Sequence, residues 1–170
     1  NTAYGVNATG GLGGAIAVNG SDDHIVNSKF ENNQAIRGGA FYLDGDQVYV
    51  IDSNFTDNRA IQGGAGFING IDSFVENSIF KDNYATHDDL RYSLSNVLQN
   101  MPTEGGAIHI YGENINIKSS EFDNNQANAK TSTENSTGGG AIYVEGKNAT
   151  ISNSTFNENS ALKGGAIFII

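Results

Sequence analysis

Gly38-Gly39-Ala40-Phe41-Tyr42-Leu43-Asp44-Gly45-Asp46-Gln47-Val48-Tyr49-Val50-Ile51-Asp52-Ser53-Asn54-Phe55-Thr56-Asp57-Asn58-Arg59-Ala60-Ile61-Gln62 is a unit of twenty-five residues, and Gly63-Gly64-Ala65 begins it again at once. Gly-Gly-Ala starts at Gly13, Gly38, Gly63, Gly105, Gly139 and Gly164, and three of the five intervals are 25 residues, the others 42 and 34. Phe always falls 17 residues after the first glycine (Phe30, Phe55, Phe80, Phe122, Phe156). Asn follows three later (Asn33, Asn58, Asn83, Asn125, Asn159) and Ala two after that. All length variation therefore lies after that alanine. Self-similarity in fixed phase at this period marks a solenoid.

Local pattern gives strands. Apolar positions two apart follow each Gly-Gly-Ala, as in Phe41/Leu43, Ile108/Ile110 and Ile142/Val144, and a glycine then closes the run. A second stretch reads Val50-x-x-Ser53-x-Phe55, with counterparts ending at Phe80, Phe122 and Phe156. Short runs bounded by Gly, Asn and Asp are strand signals. A third short segment carries the Asn and Ala. One coil cannot bury its own inner face, so coils must stack with parallel strands. Like residues then repeat at roughly 4.8 Å, putting Phe on Phe, Ser on Ser and Asn on Asn. The fold expected is all-β: a right-handed parallel β-helix of about 25 residues and three strands per coil, with one short inserted helix. We expect one such unit over residues 1–170, a piece of a longer protein, whose open terminal strand allows end-to-end self-association.

Composition narrows function by exclusion. With 38% hydrophobic and 16% charged residues the chain does not read as disordered. It has no cysteine, so thiolate metal sites and Cys nucleophiles are absent. Net charge is −10 and the nine basic residues are scattered, which argues against nucleic acid and anionic membranes as partners. No apolar run is long enough to cross a bilayer as a helix. The twin glycines precede a strand and lack a following Lys-Ser/Thr, so they are no phosphate loop. They meet a conformational need.

Gly-Gly-Ala-Ile paired with Phe-x-x-Asn resembles the repeat of the chlamydial polymorphic membrane proteins, and is similar to adhesin-like surface proteins of methanogenic archaea. The likeness covers residues 13–167 apart from two insertions. Departures are Phe41 and Gly66 at the isoleucine position, and an N-terminal Tyr4-x-x-Asn7 one residue out of phase. The resemblance implies a surface-displayed passenger for adhesion and carries over no catalytic residues.

What breaks the repeat supplies the candidate sites. The insertion 86–104 is 17 residues longer than its counterparts. Leu90, Leu94, Val97, Leu98 and Met101 share one helical face, predicting a helix over about residues 88–100 that ends before Pro102. It either covers apolar side chains on the solenoid flank or forms a partner-binding protrusion through Leu90, Leu94, Val97 and Leu98. The insertion 128–138 is a polar loop containing the sequon Asn135-Ser136-Thr137, one of six whose frequency owes much to the abundance of Asn. On the first strand an outward column reads Ala17, Tyr42, Phe67, His109, Tyr143, Phe168. Tyr42, Phe67, His109, Tyr143 and Phe168 form the candidate binding surface if exposed, and mere sheet-stabilising pairs if not. Glu31, Asp57, Asp82, Asp123 and Glu158 suggest an acidic stripe, solvated or bridged by a cation. His87-Asp88-Asp89 with Arg91 is the nearest approach to a catalytic cluster and reads better as a helix cap.

These features favour a non-enzymatic, extracellular adhesin-like segment at the cell surface, needing no cofactor or metal and binding a cell glycan or protein. The alternatives are a polysaccharide lyase or hydrolase and a purely structural stalk.

Overall fold

The computed structural model describes residues 1–3, 5, 10–88, 90, 96–128 and 137–170, with the side chains of Asn96 and Val97 left aside. The chain winds as a right-handed parallel β-helix whose rungs build four sheets. The first sheet has six strands (Ile16–Asn19, Phe41–Asp44, Gly66–Asn69, Ile108–Tyr111, Ile142–Glu145, Ile167–Ile169). The second and third have five each, represented by Tyr49–Ile51 and Asn54–Thr56, and the fourth has four, represented by Arg59–Ala60. The coils after the first thus carry four short strands where three were expected, the first having only an isolated bridge at Gln34 in the fourth place. The stretch Val50-x-x-Ser53-x-Phe55 is not continuous, because Asp52 takes a left-handed backbone, φ 52°. Asn27, Asn77, Ser119 and Asn153 do the same on the other rungs, and Asp57 makes the next bend, φ 53°. Asn and Asp tolerate this region because their short polar side chains bond locally.

The twin glycines divide the labour of the sharpest corner. Gly38 has φ 62°, and a Cβ there would strike the Phe41 carbonyl. A Cβ on Gly39 would collide with the backbone carbonyl of Gly64 on the next coil. One glycine permits the turn and the other lets consecutive coils approach.

Register is kept rung on rung, with Phe41 opposite Gly66 and Phe80 opposite both Phe55 and Phe122. The phenylalanines stack inside nearly coplanar: Phe30–Phe55 at 5.1 Å, Phe55–Phe80 at 4.7 Å, Phe80–Phe122 at 5.0 Å and Phe122–Phe156 at 4.9 Å between centroids. They join Val50, Val75, Ile117, Ile110 and their neighbours in one continuous core. Such stacks contribute about 0.5–1.5 kcal/mol per pair beyond area burial.

Beside the rings runs an amide ladder. Asn33, Asn58 and Asn83 each donate through Nδ2 to the next Asn Oδ1, at 2.9, 3.0 and 3.0 Å. The backbone N–H of Asn58 also donates to Asn83 Oδ1, at 3.1 Å, and Asn83 Nδ2 reaches back to the Phe55 carbonyl, at 3.0 Å. Buried amides are satisfied in this way on every inner rung. Asn1 extends the ladder, donating to Asn33 Oδ1 at 2.9 Å. The out-of-phase Tyr4 and Asn7 lie outside the described residues. The serines form a second ladder, in which Ser53 N–H donates to Ser78 Oγ at 3.2 Å and Ser53 Oγ donates to the Ile51 carbonyl at 2.8 Å.

Both insertions leave the solenoid after the fourth-sheet strand and return at Glu104 and Gly138, which bridge directly to one another. Within the first, a short helix spans Asn96–Gln99. Its Leu98 is fully buried and, with Met101, packs on Ile36 and Ile61, while Leu90 packs against the edge of that cluster. Leu90 and Leu98 thus pack over Ile36 and Ile61, as the cover reading expects of these two residues. Leu94 and the Val97 side chain lie outside the described residues, as do residues 129–136 of the polar loop. His87 is buried, with Nε2 3.1 Å from the Leu98 carbonyl, so it holds the end of the helix and not its start. Asp88 is exposed, and Asp89 and Arg91 lie outside the described residues.

Candidate functional site

The outward column of the first sheet stacks as the register requires. Centroid separations are 5.3 Å for Tyr42–Phe67, 4.5 Å for Phe67–His109, 4.8 Å for His109–Tyr143 and 5.6 Å for Tyr143–Phe168. It is nevertheless no open stripe. Phe67 is 7% exposed, and His109 and Tyr143 3% each, while Tyr42 and Phe168 are half-buried. A second column lies over it, made by the residues immediately before each Gly-Gly-Ala: Leu12, Arg37, Gln62, Glu104, Gly138 and Lys163. The corner turn folds this column back onto the sheet face. The Arg37 guanidinium sits 5.4 Å from the Phe67 centroid, a cation–π contact.

The covering column is tied along its length. Arg37 Nε donates to Gln62 Oε1 at 2.9 Å, and Gln62 Nε2 donates to Glu104 Oε2 at 2.7 Å. The Tyr143 phenol also faces the Glu104 carboxyl. His109 Nδ1 stands 3.5 Å from Glu104 Oε2 and has no hydrogen-bond partner among the described residues. Burial pushes the Glu104 carboxyl up to about 7, aided by the Glu145 charge and opposed by Gln62, Tyr143 and Arg37. Burial and the Arg37 charge lower His109 to about 3. Burial first, and then Glu104, raises the Tyr143 phenol. Glu104 and His109 are thus two neutral groups in contact at mildly acidic pH, and no salt bridge.

Beside this network the face opens into a groove of about 290 Å³, walled by Arg37 and Gln62, floored by Phe67, Glu104 and His109, and rimmed by Tyr111 and Glu145. Planar rings and planar polar groups converge there, the make-up of a small-ligand site. Arg37, Glu104 and Tyr111 were not singled out from the sequence. The signal was present, since residues immediately before Gly-Gly-Ala must lie at the tightest corner, next to the following strand.

Other candidates fare differently. A second aromatic column, His24–Tyr49–Phe74, stacks at 4.5 and 5.2 Å on the second sheet, half-buried to exposed. The acidic stripe is two columns and not one. Asp57, Asp82 and Glu158 share the left-handed corner with Asn32 and Asn124, while Glu31 and Asp123 sit one residue earlier. Asparagine neighbours neutralise the like-charge contacts: Asn124 donates to Asp82, and Asn157 donates to Asp123 at 2.9 Å. Lys81 pairs with Asp123 at 3.1 Å. Among the described residues no three metal-ligating side chains come together.

The family profile described as "Right handed beta helix region" matches residues 14–170. No curated protein and no solved structure matches the chain.

Proposed function

The chain belongs to the right-handed β-helix family, and from that premise we propose that it is an extracellular, adhesin-like segment binding cell-surface saccharide in the groove of its first sheet. The observation that carries the reading is the groove itself, where the half-buried Tyr42 and the exposed Tyr111 stand beside Arg37, Gln62, Asn69 and Glu104. Rings stack on the apolar faces of sugars, while amide and carboxyl groups match their hydroxyls. The likeness of the repeat to polymorphic membrane proteins and methanogen adhesin-like proteins supports display at a cell surface. The packing of Leu98 and Met101 on Ile36 and Ile61 favours the groove over the inserted segment as the binding surface. A glycan array probed with the wild type and with Tyr42→Ser and Tyr111→Ser tests it. Loss of captured saccharides in both folded variants is expected, and unchanged capture contradicts the reading.

One observation favours a second reading. Glu104, protonated near neutral pH, and the exposed Glu145 line the same groove, and a protonated acid beside a carboxylate is what glycoside hydrolysis needs. Release of fragments from bound oligosaccharide, abolished in Glu104→Gln, would establish that enzyme. Intact oligosaccharide after prolonged incubation favours the adhesin.

A further inference from the structure

Resting on the saccharide reading, we propose that the groove selects a sugar chain bearing a single carboxylate, held by Arg37 at one end, and that this ligand binds together with a proton taken up by Glu104. The charge map of the groove carries the argument. Arg37 is the one cation among its described lining residues. It forms no ion pair among the described residues, and its guanidinium is steadied by the Gln62 bond and the Phe67 ring. A guanidinium with no ion pair among the described residues, in a chain of net charge −10, is fitted to a carboxylate brought from outside. Acidic groups occupy the rest of the groove: Glu104 lies two rungs from Arg37 and Glu145 three, about 10 and 14 Å along the axis. A polymer carrying a carboxylate on every ring would set anions beside both. A chain with one acidic sugar and neutral sugars beyond it meets Arg37 with its charge and the exposed Tyr111 with a neutral ring.

The proton follows from the same map. Facing Glu104 are Arg37 and Gln62 in its own column, His109 on the strand Ile108–Tyr111, and Tyr143 and Glu145 on the strand Ile142–Glu145. Of these, His109 stays neutral across the range in which Glu104 changes charge, and the Tyr143 phenol is shifted upward. An arriving carboxylate raises the cost of an ionised Glu104, so ligand and proton favour one another by linkage. The His109 Nδ1 is buried there with no hydrogen-bond partner among the described residues.

The test is calorimetric binding of sialyllactose (one carboxylate), lactose (none) and trigalacturonate (three) to the intact chain at pH 6 and pH 8. Sialyllactose should bind best, and about five- to tenfold more tightly at pH 6. Proton uptake should appear as a dependence of the observed heat on the ionisation enthalpy of the buffer, read on the wild type alone. Arg37→Gln should reduce sialyllactose to the lactose level, and Glu104→Gln should hold the pH 6 affinity at pH 8. Equal binding of sialyllactose and lactose, preference for trigalacturonate, or an undiminished pH dependence in folded Glu104→Gln would overturn the inference while leaving a saccharide site standing. Failure of folded wild type to bind any saccharide on the array would instead remove the reading on which it rests.

Discussion

Phe41 and Gly66 are register partners in the first sheet, and the ring of Phe41 fills the space that a side chain on Gly66 would need. The two departures from the isoleucine column therefore compensate for one another. An oversized residue on one rung is matched by an absent side chain on the next, and core volume is conserved.

That pairing predicts non-additivity. Gly66→Ala should destabilise by about 1–3 kcal/mol through overpacking, since its Cβ meets the Phe41 ring. Phe41→Ile alone should cost a similar amount through the void it leaves. The double variant Phe41→Ile/Gly66→Ala should cost clearly less than the sum of the two single costs, measured by urea unfolding as a double-mutant cycle.

The amide ladder predicts a gradient from middle to end. Asn83→Ala leaves the Asn58 backbone N–H, the Asn58 Nδ2 and the Phe55 carbonyl without these partners inside the core. A loss of about 3 kcal/mol or more is expected. Asn159→Ala, on a partly exposed rung, should cost less in the same denaturant titration.

Glu104 makes stability depend on pH with a definite sign. Its folded-state value, about 7, lies above the unfolded value near 4.5. Its contribution is therefore fully present below about 4.5, shrinks as pH rises, and is lost above about 7. Glu104→Gln, which cannot ionise, should be more stable than wild type at pH 8 by roughly 2–3 kcal/mol, with little difference at pH 4.5. His109 acts oppositely: its depressed value costs stability on acidification below about 6.5, and His109→Phe should flatten that limb. Thermal melts across pH 4–8 read both.

Leu98 separates cover from binding. Leu98→Ala should lower stability by about 2–4 kcal/mol, because its side chain is fully buried on Ile36 and Ile61. Saccharide capture by the folded variant should be unchanged.

Most of the fold was legible because a solenoid writes its register into its period. The fixed phase of Phe55, Asn58 and Gly38 is enough to place the stack, the ladder and the corner. Two things were less visible. The split of the second strand depends on the left-handed backbone at Asp52, and Asp there looks like any polar strand residue. The groove depends on Arg37, Gln62 and Glu104 folding over the column of Phe67 and His109. Alternation places a residue on a face but does not say what lies above it. Glu104 was harder still, because it ends an insertion and its phase is clear only when counted backward from Gly105.

The central claim is that residues 42 apart across the first insertion are next-rung neighbours, which assembles the groove. It is tested most directly by cysteine pairs in this cysteine-free chain. Asn69 and Tyr111 are register partners, whereas Asn69 and Glu145 are two rungs, about 10 Å, apart. Under mild oxidation Asn69→Cys/Tyr111→Cys should close to a disulfide, and Asn69→Cys/Glu145→Cys should stay reduced, being beyond bridging distance. Closure of the second pair with the first left open would contradict the stacking and the site built on it.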